Sequence, residues 1–259
     1  MFSTYRSSYS ASLTFSVLEY GHENGRRYHK YRNGSYLLPN EESENDRLGM
    51  LHELCLQVLH RRLYLAPITK PQKAIDLATG SSIWAIDFAD QHPQAEVICC
   101  DPIQPTLVRP NVKFLVGNIE DFGKLIKQCY WYVVDMFSLF LSRHLTGNRS
   151  VKPGGWVEFQ DWDDYPNSED DSLNDTWLQR YYDEVYGAFE EAGYEVRPGV
   201  RLEQWFKDAG FVNIHAEKLV VPYGVWSKDR HLKKLGAWNQ SQAEANGYEG
   251  TALAALTRR

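Results

Sequence analysis

A short stretch of acidic and small residues, 76–82, has the spacing of a turn that holds a nucleotide-like ligand. Asp76 lies at the end of an apolar strand pattern, and the turn that follows it precedes an apolar helix. Backbone N–H groups and the helix dipole favour polar ligand groups at such a helix start. The turn carries Ala78 and Ser82 where glycine is favoured, so we expect only Gly80 to take a positive φ without strain.

A second acidic residue follows the next predicted strand. Asp101 ends the apolar run 97–100, about twenty residues after the turn, which is the distance that a strand–helix–strand unit gives. A carboxylate at this place commonly binds the hydroxyls of a ribose, and the alternative is an ordinary loop acid. We therefore expect Asp76 and Asp101 at one edge of a parallel sheet.

Strand and helix patterns on both sides of this unit predict an α/β domain with a mostly parallel sheet. Strands are expected at 111–116, at Trp131 to Phe140 and at Trp156 to Asp161, with the second of these filling the centre of the sheet. Residues 1–25 are expected to be a disordered tail, 26–70 an N-terminal lid or extension and 71–161 the cofactor-binding core. Residues 162–259 are expected to form a helical insertion and the C-terminal part.

The regions outside the core show capping and periodicity signals of their own. The helix that begins after residue 40 has Asn40 as its predicted N-cap. Apolar periodicity predicts two more helices, which close at glycines, and alternation predicts one strand after them. These segments are Trp177 to Ala192 before Gly193, Leu202 to Ala209 before Gly210, and Val212 to Ala216.

The composition excludes several classes of partner. The 259 residues carry a formal net charge of -6, which argues against direct binding of nucleic acid or of an anionic membrane. The longest apolar run, 130–141, is shorter than the roughly 20 residues of a membrane span and contains Asp135. The four cysteines lack zinc spacing, so we expect reduced thiols, no metal site and a cytoplasmic location, with the nucleus as the alternative.

Motifs along most of the chain resemble those of the fungal LaeA-like methyltransferases, a branch of the class I enzymes that use S-adenosylmethionine (SAM). The resemblance covers residues 26–259 and rests on motifs in the family's order: Arg27-Tyr28-His29, Gly34-Ser35-Tyr36, Leu65-Ala66-Pro67-Ile68, Ile83-Trp84-Ala85-Ile86-Asp87, Pro102-Ile103-Gln104-Pro105, Lys152-Pro153-Gly154-Gly155-Trp156-Val157-Glu158 and Gly236-Ala237-Trp238-Asn239. It implies a Rossmann-like three-layer sandwich, here without the usual last strand. It also implies SAM as cofactor and a small-molecule or protein methyl acceptor.

The resemblance assigns cofactor contacts residue by residue. The family's first loop surrounds the methionine part of SAM, and its matches here are Asp76, Ala78 and Gly80. Asp101 matches the acid that binds the ribose hydroxyls, and a carboxylate can accept from both. Asn118 and Ile119 match the pair that flanks the adenine. Tyr36 and Arg47 match the N-terminal motif that closes over the cofactor. Arginine pairs carboxylates bidentately, so Arg47 is expected to hold the methionine carboxylate.

Departures from the family's pattern leave an alternative open. Ala78 and Ser82 replace glycines, and the family's fourth-strand pattern is missing between Glu120 and Pro153. The alternative is a catalytically weak or inactive relative that binds regulatory protein partners.

The acceptor side offers fewer assignments. Glu158, Gln160 and Asp161 end the fifth strand, where acceptors enter in this fold, or they form a solvated rim. No catalytic residue is named, because four histidines each lack a carboxylate partner at a useful spacing in the sequence: His29, His52, His144 and His215.

Overall fold

A computed structural model describes residues 20–29, 39–77, 79–101, 109–116, 130–136, 151–163 and 165–257. Several predictions fall on other residues and lie outside the described part: the tail before residue 20, Tyr36, Ala78, Asn118 and Ile119.

The described residues include seven strands, which form two separate sheets. The first two, β1 (Tyr20–Glu23) and β2 (Arg26–His29), pair as an antiparallel hairpin. The other five form one parallel sheet in the order β5-β4-β3-β6-β7. Their bounds are β3 (Lys73–Leu77), β4 (Glu96–Asp101), β5 (Val112–Val116), β6 (Tyr130–Met136) and β7 (Val151–Gln160).

Strand β6 confirms the prediction that residues 131–140 supply the central strand, although it begins at Tyr130 and ends at Met136. It pairs with β3 on one side and β7 on the other, so the backbone groups on its two sides have ladder partners. The chain order reverses between β3 and β6. Open parallel sheets bind ligands outside the carboxyl ends of their strands at such a reversal.

Six helices surround the sheet among the described residues. Their bounds are α1 (Glu42–Val58), α2 (Ile83–Gln91), α3 (Trp177–Glu191), α4 (Leu202–Asp208), α5 (Arg230–Gln242) and α6 (Tyr248–Thr257). A kink joins α5 to α6, where Ala245 and Asn246 leave the helical backbone conformation and Asn246 has a φ of 86°. The predicted helices that become α3 and α4 are confirmed, and Gly193 and Gly210 after them both have positive φ.

Two local predictions are wrong. Residue Glu41, not Asn40, precedes the first helical residue of α1, and its side chain makes no cap hydrogen bond. The amide oxygen of Asn40 instead accepts from Arg27 Nε at 3.3 Å, which ties the helix start to β2. The predicted strand Val212 to Ala216 does not form, and Asn213 there has a φ of 57° that interrupts an extended chain.

The two faces of the large sheet carry separate apolar clusters. Alternate side chains of β3, β4 and β5 pack against α2, with Trp84 and Phe88 at the centre of that cluster. The opposite alternate set, which includes Ile75 and Ile98, packs with Phe211. Helices α3 and α6 share a third cluster, and α1 packs on α5 through a fourth. The architecture is therefore a Rossmann-like sandwich with a helical cap.

Residues far apart in sequence meet where the N-terminal hairpin touches α6. Asn24 Nδ2 donates to Thr257 Oγ1 at 3.2 Å, across 233 positions of sequence. The buried guanidinium of Arg26 pairs with Glu41, and Gly250 packs beside it. The hairpin is thus anchored to the last described helix.

Cys55, Cys99 and Cys100 form no disulfide within the described part of the chain. Burial raises the pKa of the Cys55 thiol to about 12, so this side chain stays protonated and unreactive. No helix in the described part of the chain is long and apolar enough to cross a membrane.

Candidate functional site

The turn after β3 is tied to two strands of the sheet. The backbone N–H of Thr79 donates to the Cys100 carbonyl of β4 at 3.4 Å. Its hydroxyl donates to the Asp76 carbonyl at 3.3 Å, and its own carbonyl accepts from Ser82 N at 2.9 Å. The turn is therefore fixed in place before any ligand binds.

Two residues of this turn, not one, adopt a left-handed backbone. Gly80 has a φ of 53°, as expected, but Ser82 also has a φ of 65°. For a residue with a Cβ atom this conformation costs about 1–2 kcal/mol. Ser82 is fully buried, and its hydroxyl has no hydrogen-bond partner among the described residues. The departure from glycine at this position therefore leaves the fold of the turn intact but strains it.

Helix α2 begins directly after the turn without a side-chain cap, because Ser82 makes no cap hydrogen bond. The first N–H groups of a helix have no partner within the helix, and the helix dipole adds positive potential there. This start lies at the carboxyl end of β3, beside the reversal in strand order. A carboxylate, such as that of the methionine part of SAM, fits these donors.

The two acidic residues predicted for the site lie on neighbouring strands. Asp76 is 1% exposed in β3, between Cys99 of β4 and Val134 of β6. Asp101 is the last residue of β4, and its backbone pairs with Val116 of β5. Because β3 and β4 run parallel, both acids belong to the carboxyl-end half of the sheet.

Arg47 lies on α1, where it forms a buried network. Its guanidinium contacts both carboxylate oxygens of Glu44, with Nη2 at 2.7 Å from Oε1, and Nη1 donates to Gln242 Oε1 at 3.0 Å. Both side chains of the ion pair are mostly buried. These contacts join α1 to the end of α5. The expected role of Arg47 toward the methionine carboxylate stays a prediction.

His52 has a carboxylate partner that sequence spacing did not reveal. Its Nε2 lies 3.0 Å from Oδ2 of Asp87, 35 positions later on α2. A Cβ atom at Gly49, one turn earlier on α1, would lie 3.7 Å from Ile83 Cδ1. The expectation that no histidine has a useful partner is therefore wrong for His52, which helps to hold α1 against the first turns of α2.

The acidic and amide side chains at the end of β7 bind the protein's own backbone. The carboxylate of Glu158 accepts from Leu65 N at 2.9 and 3.0 Å and from Ala66 N at 2.8 Å. Gln160 Nε2 donates to Glu158 Oε1 at 2.7 Å and to the Leu63 carbonyl at 3.2 Å. The solvated-rim interpretation does not describe these two residues, which hold the segment 63–66, and the acceptor-entry interpretation stays a prediction.

Tyrosines dominate the helical cap that follows β7. Edge-to-face ring pairs at 5.4–5.9 Å join Tyr165, Tyr182 and Tyr186. The hydroxyl of Tyr165 donates to Asp183 Oδ1 at 2.5 Å, and this hydrogen bond raises the pKa of Tyr165. Burial and the neighbouring tyrosine hydroxyls raise the pKa of Tyr248 well above its usual value. The phenols of Tyr165 and Tyr248 therefore stay neutral near pH 7.

Among the described residues, no group of three or more histidine, cysteine, aspartate and glutamate side chains could hold a metal ion.

Comparison with known proteins gives three informative relatives. The chain is 36% identical to the methyltransferase pytC of Aspergillus terreus, over 87% of this chain and 72% of that protein. It is 30% identical to the secondary metabolism regulator LAE1 of Cochliobolus heterostrophus, with coverages of 91% and 81%. It is also 30% identical to the protein-methionine methyltransferase laeA of Emericella nidulans, with coverages of 93% and 67%. No protein-family model matches the chain.

Proposed function

Because the chain belongs to the fungal LaeA-like family of class I SAM-dependent methyltransferases, we propose that its acceptor binds beside the carboxyl ends of β6 and β7. The observation that carries this proposal is the uncapped start of α2 at the reversal in strand order. With the cofactor on the β3–β4 side of that reversal, the acceptor is expected on the side of β6 and β7.

The residues of this chain fit SAM in the following way. The turn at Gly80 and the first N–H groups of α2 hold the methionine part, and Asp101 accepts from the ribose hydroxyls. The pair Asn118 and Ile119 flanks the adenine, and Tyr36 closes over the cofactor from the N-terminal side. SAM supplies a methyl group already activated on a sulfonium, so the protein mainly aligns the acceptor and excludes water.

The acceptor is either a small secondary metabolite or a protein side chain. An oxygen or nitrogen acceptor loses a proton during methyl transfer, whereas a thioether such as methionine becomes a sulfonium and loses none. One relative is named as a protein-methionine methyltransferase.

A second candidate function is that of a regulatory protein with weak or no SAM turnover. The strained Ser82 in the cofactor turn favours it, and one relative is named as a regulator of secondary metabolism. In this case the chain binds regulatory protein partners. We place it in the cytoplasm, with the nucleus as the alternative.

Calorimetric titration with SAM separates the two functions. The purified protein is expected to bind SAM saturably, and Asp101→Ala is expected to weaken binding about tenfold or more, because hydrogen bonds to a charged group are lost. Asp208→Ala, on the far helix α4, is the matched control and should leave the affinity unchanged. A folded protein that shows no saturable binding would support the regulatory function. Unchanged affinity in Asp101→Ala would remove the assigned role of that side chain.

A further inference from the structure

The segment 63–66 connects the cofactor side of the fold to the acceptor side. On one side of it, the Glu158 carboxylate of β7 accepts from the backbone N–H groups of Leu65 and Ala66 at 2.8–3.0 Å. Charge-assisted hydrogen bonds of this kind are stronger than neutral ones. The segment is therefore held firmly to the carboxyl end of β7.

The same segment binds the start of helix α2. The Leu63 carbonyl accepts from the indole Nε1 of Trp84 at 2.9 Å and from Gln160 Nε2 at 3.2 Å. Trp84 is the second residue of α2, is 4% exposed and stacks on Phe88 with ring centroids 5.0 Å apart. The Leu63 carbonyl, which lies outside α2, therefore fixes the position of Trp84 and with it the rotation of α2 about its axis.

The register of the sheet places this connection across the strand-order reversal. Glu158 pairs with Val134 of β6, and Val134 pairs with Asp76 of β3. Residues in one row of a sheet point to the same face, and two strand spacings separate Glu158 from Asp76 by roughly 10 Å. The carboxylate of Glu158 therefore lies on the same sheet face as that of Asp76.

We propose that Glu158 is a positioning residue for the SAM site, acting through Leu63 and Trp84 on the first turn of α2. This inference rests on the proposed function, since it concerns the same cofactor turn. Gln160 has a secondary role, because it contacts both Glu158 and the Leu63 carbonyl.

The amide variant Glu158→Gln tests this role because it keeps the size of the side chain but not its acceptors. Three donors converge on the carboxylate: the N–H groups of Leu65 and Ala66, and Gln160 Nε2. A glutamine has one acceptor oxygen and one NH2 group, so in either orientation its NH2 group meets another donor. The segment 63–66 is then expected to shift, and α2 with it.

The experiment is calorimetric titration with SAM on the full chain, which needs no knowledge of the acceptor. We expect Glu158→Gln to raise the Kd for SAM about tenfold with the binding stoichiometry unchanged, and Gln160→Met to raise it about threefold. The control Glu184→Gln, at an exposed ion pair with Arg180 on α3, should behave like the unmodified protein.

The Kd for SAM and the folded fraction from circular dichroism together distinguish positioning from a purely structural role. A variant that is only destabilised shows an apparent Kd raised by the reciprocal of its folded fraction, and a rise in Kd that this factor accounts for would overturn the inference. If Glu158→Gln does not fold, the milder Gln160→Met decides the question by the same criterion. Unchanged Kd values in folded variants would overturn the inference alone. Absence of SAM binding by the unmodified protein would overturn the proposed function as well.

Discussion

Substitution of Gly236 by alanine tests a close backbone contact between helix α5 and the segment before it. Helix α5 crosses the segment before it so closely that Gly224 N donates to the Gly236 carbonyl at 3.1 Å. A Cβ atom at Gly236 would lie 1.9 Å from the Gly224 carbonyl oxygen and 2.9 Å from its carbon. Both of these are backbone atoms, so no side-chain rotation can relieve the overlap.

The expected loss of stability can be worked from this geometry. Alanine gains about 1 kcal/mol over glycine in a helix interior. Two costs outweigh this gain. Overpacking typically costs about 1–3 kcal/mol, and more where backbone must move. Loss of the Gly224–Gly236 hydrogen bond costs about 1 kcal/mol more. If α5 moved away from Gly224 to relieve the overlap, Leu235 would also lose its contacts with α1. We expect a net destabilisation of about 3 kcal/mol, which lowers the Tm by roughly 6–12 °C.

A second glycine provides the matched control. Gly187 lies inside helix α3, and a Cβ atom there would meet no atom within 4 Å. Gly187→Ala is therefore expected to raise the free energy of unfolding by up to about 1 kcal/mol. Both variants are measured by thermal and urea unfolding followed by circular dichroism. If Gly236→Ala proves as stable as Gly187→Ala, the close crossing of α5 over Gly224 is refuted.

Two further outcomes concern the cofactor turn and pH. Ser82→Gly should raise the free energy of unfolding by about 1 kcal/mol, because it removes left-handed strain and a buried hydroxyl. The affinity for SAM should not fall. A variant that proves less stable in urea unfolding would contradict this. Burial lowers the pKa of His92. The neutral side chain therefore contributes stability above the unfolded pKa of about 6.5, and this contribution is lost as the pH falls through the folded pKa. His92→Gln should flatten the dependence of the unfolding midpoint on pH below about 6.5, and an unchanged slope would argue against this role.

Local sequence patterns were sufficient to predict the elements whose conformation depends on neighbouring residues. The apolar periodicity of α3 and the positive-φ glycine after it are properties of neighbouring residues, and both are confirmed. The central strand β6 was also predictable, because a parallel sheet with a missing strand would leave backbone groups unpaired. The same reasoning failed for Val212 to Ala216. Its alternation is real, but Val212 is 80% exposed and finds no sheet to pack on.

The contacts that organise the site could not be read from spacing. Glu158 and Leu65 are 93 positions apart, and His52 and Asp87 are 35 apart on different helices. The sequence shows that such side chains can form ion pairs or accept hydrogen bonds but not which groups they meet. The left-handed backbone of Ser82 could not be predicted from the sequence either, because the turn between β3 and α2 imposes it and serine does not favour it.

The contact between Asn24 and Thr257 also has a consequence for synthesis of the protein. The β1–β2 hairpin cannot reach its final environment until α6 has left the ribosome, 233 positions later. At about 5–20 residues per second, this delay is on the order of tens of seconds. The hairpin is therefore expected to be among the last parts of the nascent chain to become resistant to protease.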